Sequence, residues 1–489
     1  MGQNIGFLPI WLQLVLFVFI ISIIFLSTLL ITQNISRLQF WTWTNYYTIF
    51  KISIIYLSIF ILYITLLIVY EFCFNLKYMD TISFKPFNLV GLTIDKLSLN
   101  FVTLICFFFP AIFILADYDF SIYQYRFFLL LVLLQFNIYL FIFANNILVF
   151  YLLYELMIGL VFFIMHATSN SRGSIEAILF FFGWAIIGSI LVGLAVIYIV
   201  LTTQTSDFKV IRNFTFTPDE IYLIHWLIFF GFGTKLAIWP FWYWLPRAHV
   251  EVSTAMSIFL SCVLIKVCLY GFMRFLYILQ DNIVVFPFIF CCILCVFDIA
   301  VRLITQMDLK AVVAYGSVLH INLLLILILL DGTKLSLGLI LYIWGHSYAT
   351  AGLFFAVNLI ERHFSSRSTF EISGVYSTNP AVGLILLFTV ITFLEFPLTF
   401  FFWGEFWLWT LLLSVISATT IVLMFITTVV YAIVFFRIWW GILFGAGSPL
   451  AKTPKLLLTH FDLYLASYLI ITQYIWGLQP NLFSIFCMS

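Results

Sequence analysis

The chain has 489 residues, of which 65% are hydrophobic and only 8% charged, with a net charge of +1. Soluble domains carry about 25% charged residues, so a fold that faces water on all sides is excluded. No basic patch stands apart from the loops, which argues against nucleic acid as a partner.

Spanning a bilayer takes about 20 apolar residues in a helix. Apolar runs of that order follow one another along the chain, separated by charges, proline or asparagine. They occupy residues 7–31, 52–70, 99–116, 127–144, 147–167, 177–200, 221–245, 253–273, 283–301, 311–330, 335–359, 380–413, 416–440 and 463–486. The first lacks a basic leader and is too long for a signal-peptide core, so it reads as a spanning helix and not as a cleavable segment. The pair Asn145-Asn146 divides a long uncharged stretch into two spans. The run at 380–413 is too long for one straight span and is interrupted at Phe396-Pro397. These runs predict an all-α polytopic membrane protein with about fourteen transmembrane helices, forming a single transmembrane domain over 1–489. No loop has room for a soluble domain, so nucleotide, flavin and substrate domains are expected on other chains.

Most charges fall between the runs, where loops can hydrate them. Basic residues occur on loops of both apparent sides, so they set no orientation. Asp298 and Arg302, one turn apart near a helix end, read as a local pair, and Arg274 as an anchor that reaches the interface from its helix end. Four ionisable residues lie deep in apolar runs instead: Glu155, Lys235, Lys266 and Glu405. Each such group costs about 2.5–3.5 kcal/mol to insert at mid-bilayer, and groups of this kind mark ion paths or buried pairs. Four together, balanced in sign, favour a path. His320 and His346 lie in runs between Lys266 and Glu405, and imidazole exchanges protons near neutral pH. Either alone is more often a hydrogen-bonded packing residue; their order along the chain, between Lys266 and Glu405, points to a relay. Glu395 is a fifth buried carboxylate candidate.

Breaks accompany the charges. Pro240 and Pro246 follow Lys235, and Pro397 precedes Glu405. Proline frees a backbone carbonyl, which lipid tolerates only where protein or water covers it. Broken helices in corresponding halves are the mark of inverted-repeat transporters. The expected organisation is N-terminal helices in 1–120, one antiporter-like repeat in 121–280, a second in 281–443, and a C-terminal helix in 444–489.

Other chemistries find little support. The cluster Cys291, Cys292 and Cys295 has no second Cys or His pair at metal-site spacing, and cysteine in an apolar run behaves as a small hydrophobe. Gly231-Phe232-Gly233 lacks the third glycine of a dinucleotide loop, and Gly233-Thr234-Lys235 lacks a P-loop ending. No metal and no cofactor is therefore expected on this chain.

The stretch from Gly233 through Lys235, Pro240, Pro246, Arg247, Ala248 and His249 to Glu251 resembles the broken-helix signature of the antiporter-like subunits of NADH:ubiquinone oxidoreductase, complex I. Further matches follow in order: Leu264 to Arg274, Asp308 to His320, Gly345-His346 to Arg362, and Gly404-Glu405-Phe406. The resemblance covers roughly residues 91–440. It implies a proton relay in which Glu155 and Lys235 form the central pair of a half-channel, Lys266, His320 and His346 continue a hydrated axis, and Glu405 ends it. It also implies a multi-pass protein of the mitochondrial inner membrane, in contact with its lipids and with other membrane-arm subunits, especially neighbouring antiporter-like ones. NADH, FMN, iron–sulfur clusters and ubiquinone then belong to partner subunits. The 60 Phe residues fit the AT-rich coding of many organelle genomes. The chain departs from the family at Ala237, where proline is usual, at Val252-Ser253, at Met256, and at the bulky Leu398 and Phe400; Glu395 has no usual counterpart.

In the expected mechanism, a nearby Glu155 keeps Lys235 protonated, and its withdrawal releases the proton toward Lys266. The path then runs through His320 and His346 to Glu405. Two other readings fit the same residues: a Mrp-type cation/proton antiporter subunit, and a membrane scaffold whose charges only fix packing.

Overall fold

The computed structural model describes residues 82–84, 92–119, 124–168, 171–279, 286–332, 335–446, 458–481 and 483. The predicted runs at 7–31 and 52–70 lie outside the described residues. A short antiparallel ribbon, β1 (Ile82–Phe84) and β2 (Leu92–Ile94), leads into α1 (Lys96–Asp119). Asp95 starts that helix: its Oδ1 accepts from the Ser98 amide at 2.8 Å, and its own amide donates to the Ser98 hydroxyl at 2.8 Å. This reciprocal capping satisfies two of the donors a helix start leaves open.

Helices α2 (Gln124–Phe143) and α3 (Ile147–Thr168) meet at the predicted Asn145-Asn146 turn. Asn146 Oδ1 accepts from the Leu148 amide at 2.9 Å, and its Nδ2 donates to the Ser206 hydroxyl at 2.9 Å. The turn is thus tied to the loop after α4 (Arg172–Thr203), from which a short α5 (Phe208–Arg212) leads on to α6 (Pro218–Gly233). Thr217 and Glu220 form a capping box at the start of α6.

The predicted run at 221–245 is two elements in the structure. Helix α6 stops at Gly233, and after an irregular segment a turn of 3-10 helix at Phe241–Tyr243 leads into α7 (Trp244–Glu251). Ala237 lies in this break at φ 55°. Proline's ring holds φ near −65°, so the family's usual proline could not take this backbone shape at position 237. Two freed carbonyls find side-chain donors: Trp244 Nε1 donates to the Thr234 oxygen at 2.6 Å, and Asn322 Nδ2 to the Ala237 oxygen at 3.2 Å. Irregular backbone at membrane depth is tolerated where protein covers it in this way.

The second half continues with α8 (Thr254–Leu279), α9 (Phe286–Leu303), α10 (Leu309–Asp331) and α11 (Leu337–Phe364). Part of α8, Leu260–Leu264, is wound as a π-helix. A short α12 (Val375–Thr378) precedes α13 (Pro380–Phe393) and α14 (Phe400–Val415), the two arms of the second predicted break. Between those arms Glu395 and Leu398 take φ 56° and φ 80°. Helices α15 (Ala418–Phe444) and α16 (His460–Leu478) complete the described chain.

Eight described helices are long and apolar enough to cross a membrane, and Phe127–Phe143, Pro380–Phe393 and Phe400–Val415 are shorter apolar helices. The protein is an all-α polytopic membrane protein. Helices α8, α10 and α11 are buried along nearly their whole length, whereas α15 is mostly exposed. The buried trio forms the centre, and the exposed faces of α3, α4, α14 and α15 carry leucine, isoleucine, valine and phenylalanine, as lipid-facing helices do.

Three charge assignments change or sharpen. Arg274 does not reach the interface: it is buried and pairs with buried Asp95 at the start of α1. Lys310, which falls between runs in the sequence, is buried; its Nζ lies 3.5 Å from Glu361 and donates to the Val252 oxygen at 3.3 Å. Asp298 and Arg302 form the local pair that their spacing predicts, at 2.8 Å. The cysteines of α9 are unbridged, with Cys292 and Cys295 buried as small apolar side chains.

Candidate functional site

Both breaks and the π segment converge on the buried charges. Lys235 follows the end of α6, fully inside the protein. Its Nζ lies over the Tyr154 ring, 3.5 Å from the centroid, and has no hydrogen-bond partner among the described residues. An aromatic face stabilises a cation without fixing it to a carboxylate. Glu155, the next residue on α3, is half-buried and turned toward Tyr151; among the described residues its Oε1 is also without a hydrogen-bond partner. The two expected partners of the half-channel are therefore on adjoining elements but not bonded to each other. Room beside them comes from Gly193 on α4, where a Cβ would stand 2.6 Å from the Tyr151 hydroxyl.

Lys266 lies just after the π segment of α8 and is fully buried. Its Nζ donates to the Ser261 oxygen at 3.0 Å and lies 2.5 Å from His346 Nδ1. A π segment rotates the following residues relative to an α-helix, a device frequent at functional sites. Here it sets Lys266 against the middle of α11. The other nitrogen of His346, Nε2, lies 3.3 Å from the Ser317 hydroxyl on α10. His320 stands one turn further along α10, and its ring is 6.3 Å from that of His346, centroid to centroid. The ring of Phe401 packs against both.

His320 is the hub of the second half. Its Nε2 lies 3.2 Å from the Tyr431 hydroxyl, and its Nδ1 lies 3.5 Å from the Tyr342 hydroxyl and 3.1 Å from Glu395 Oε1. Glu405, half-buried on α14, accepts from Trp409 Nε1 at 3.0 Å. The close approach of α14 to α11 depends on two glycines. A Cβ on Gly345 would stand 2.7 Å from the Phe401 backbone, and one on Gly404 2.6 Å from the Tyr342 backbone.

The structure thus bonds Lys266 to His346 and His346 to Ser317, and sets His320 one turn on with its ring 6.3 Å from that of His346. It reverses the expected order of the two histidines: His346 touches Lys266, and His320 faces the second break. Lys235 and Glu155 form a separate cluster that does not touch Lys266. Each group in the continuous part can both accept and donate a proton in turn, which is what stepwise transfer requires. Sequence reasoning missed Tyr154, Ser261, Ser317, Tyr342 and Tyr431. Their one visible signal is hydroxyl spacing: Ser317 lies one turn from His320, and Tyr342 one turn from His346.

Buried basic and acidic groups strung between two broken helices define the antiporter-like class of membrane subunits. Residues 144–434 match the NADH:quinone oxidoreductase/Mrp antiporter transmembrane family, and the chain belongs to it. It is similar to NADH-ubiquinone oxidoreductase chain 4 of Paramecium tetraurelia, 32% identical over 326 residues, covering 66% of this chain and 69% of that one. Its fold is similar to a chain of the membrane-bound sulfane sulfur reductase, an archaeal respiratory membrane complex, with TM-score 0.83, 17% identity and coverage of 97% and 96%. It is also similar to a chain of the Mrp complex from Dietzia sp. DQ12-45-1b, with TM-score 0.79, 15% identity and coverage of 89% and 91%.

Proposed function

We propose that this chain is a proton-translocating membrane-arm subunit of respiratory complex I, in which electron transfer from NADH to ubiquinone drives protons along Lys235, Lys266, His346, His320 and Glu405. The observation that carries this reading is the bonded run from Lys266 Nζ through His346 to the Ser317 hydroxyl, with the His320 ring 6.3 Å from that of His346. Packing alone would pair each cation with a carboxylate. Lys235 and Lys266 instead meet an aromatic face, a carbonyl and an imidazole.

In this mechanism Glu155 controls the first step. With Glu155 turned away and Lys235 held only by the Tyr154 face, the lysine is poised to give its proton up; return of the carboxylate lets it be reloaded. The proton passes to Lys266, whose Nζ gives it to His346 Nδ1. His320 receives it next, and Glu405 is the exit. One elementary charge crossing the membrane corresponds to about 2.3 kcal/mol per 100 mV, so the drive must come from redox chemistry on partner subunits. NADH, FMN, iron–sulfur clusters and ubiquinone are accordingly assigned to those partners. The likeness to mitochondrial-type chain 4 relatives supports placement in the mitochondrial inner membrane beside other antiporter-like subunits. Residues 121–280 and 281–443 are the two repeats in this scheme, each built on one broken helix.

Glu155→Gln and Lys235→Ala test the reading in the assembled complex. Proton pumping should fall by roughly a hundredfold in each while the complex still assembles. Normal pumping coupled to electron transfer in both variants would show the relay to be wrong. The Mrp-type alternative shares the fold, so fold does not separate the two. Co-purification with iron–sulfur subunits supports complex I, and isolation without them supports an antiporter.

A further inference from the structure

The first break exposes a backbone carbonyl that later helices reach for. The Ile238 amide donates to the Gly233 oxygen at 3.1 Å, which closes a short loop containing Lys235, Leu236 and Ala237. Ala237 is buried in this loop at φ 55°. Asn322 Nδ2 on α10 donates to its oxygen at 3.2 Å, and the Cys295 thiol on α9 lies 3.7 Å from it. The same Nδ2 donates to the Val318 oxygen at 2.8 Å, so both amide hydrogens are used and the side chain is held in one orientation. Asn322 is completely buried, and among the described residues its Oδ1 has no hydrogen-bond partner. A bare buried oxygen is costly, and an apolar side chain of the same size avoids that cost. Packing alone would therefore favour leucine here, and what the amide adds is its hold on the Ala237 carbonyl. Residues two apart on a helix face different ways. Helix α10 accordingly turns Ser317 and His320 toward α11, and Asn322 toward the first break.

We propose that Asn322 is a positioning residue that holds the Lys235 loop through the Ala237 carbonyl and ties that loop to the helix carrying His320. The proposal rests on the relay reading above and adds to it a mechanical link between the Lys235 cluster and the histidine helix. Asn322 carries no proton itself. Its hold fixes where the loop places Lys235 Nζ, over the Tyr154 face. Ala237 suits the link, because the carbonyl meets Asn322 only with the backbone at its positive φ. Proline's φ near −65° would turn that carbonyl elsewhere.

The test uses Asn322→Leu and Ala237→Pro, singly and together, in the assembled complex, with Lys235→Ala alongside. Leucine keeps the volume and removes the donor. Two quantities are measured: protons moved per electron pair, and the amount of assembled complex. Each single variant should lower the proton ratio roughly tenfold or more, as small misplacements of a reacting group do. The double variant should be no worse than the more damaged single one, because both substitutions break the same contact. A side chain that only stabilises the fold gives the opposite pattern, with less complex but a normal ratio. A normal ratio in Asn322→Leu overturns the proposal, and so do additive losses in the double variant. Failure of Asn322→Leu to assemble assigns the residue to folding and overturns it too. If Lys235→Ala stops pumping while Asn322→Leu pumps normally, the link is wrong and the relay stands. If Lys235→Ala pumps normally, the relay fails and the link with it.

Discussion

Lys266→Ala should reduce proton translocation by the assembled complex by roughly a hundredfold. The ammonium is completely buried, and its bonded partners among the described residues are the Ser261 carbonyl and His346 Nδ1. Removing it takes away the group that meets His346 Nδ1. Lys266→Arg separates transport from charge balance. Arginine stays protonated at any relevant pH, so it satisfies a packing role and blocks proton release. The relay therefore predicts loss in both variants, measured as protons moved per electron pair. A scaffold role predicts retained pumping in Lys266→Arg and in an apolar Lys266→Met variant.

Arg274→Ala should destabilise the fold by about 3–5 kcal/mol, the cost of leaving one partner of a buried ion pair alone. Arg274 and Asp95 are both buried, and Asp95 also caps α1 through Ser98. The stranded carboxylate would sit where α1 meets α8, so the thermal midpoint of the purified complex and its yield should both fall. Arg274→Met combined with Asp95→Asn should recover much of that loss, because removing both charges removes the desolvation penalty as well. Equal damage in the single and double variants would contradict the pairing.

Much of this architecture can be read from residue order because lipid leaves few options. A spanning segment must be helical and apolar, so the runs at 99–116, 147–167 and 311–330 correspond closely to α1, α3 and α10. Charges such as Lys235 and Lys266 stand out against that background. Their partners do not. Asp95 is separated from Arg274 by most of the first repeat, and nothing in a helix-end arginine tells whether it turns outward or inward. The order of His320 and His346 along the path is set by how α10 and α11 pack, which chain order cannot express. The π segment beside Lys266 has no sequence signature. Tyr154 and Tyr431 are lost among 25 tyrosines in a chain that is 20% aromatic. Glu395 is visible as a buried carboxylate, but its meeting with His320 depends on a positive φ in the break.

The central claim is that these buried charges exist to hand on protons, and its weakest join is the space between Lys235 and Lys266. A high-resolution map of the assembled complex tests it most directly. Ordered waters should link Lys235 Nζ to Lys266 Nζ and continue beside Ser317 and His320 toward Glu405. Apolar side chains closing that interval, with no water between the two lysines, would contradict the account.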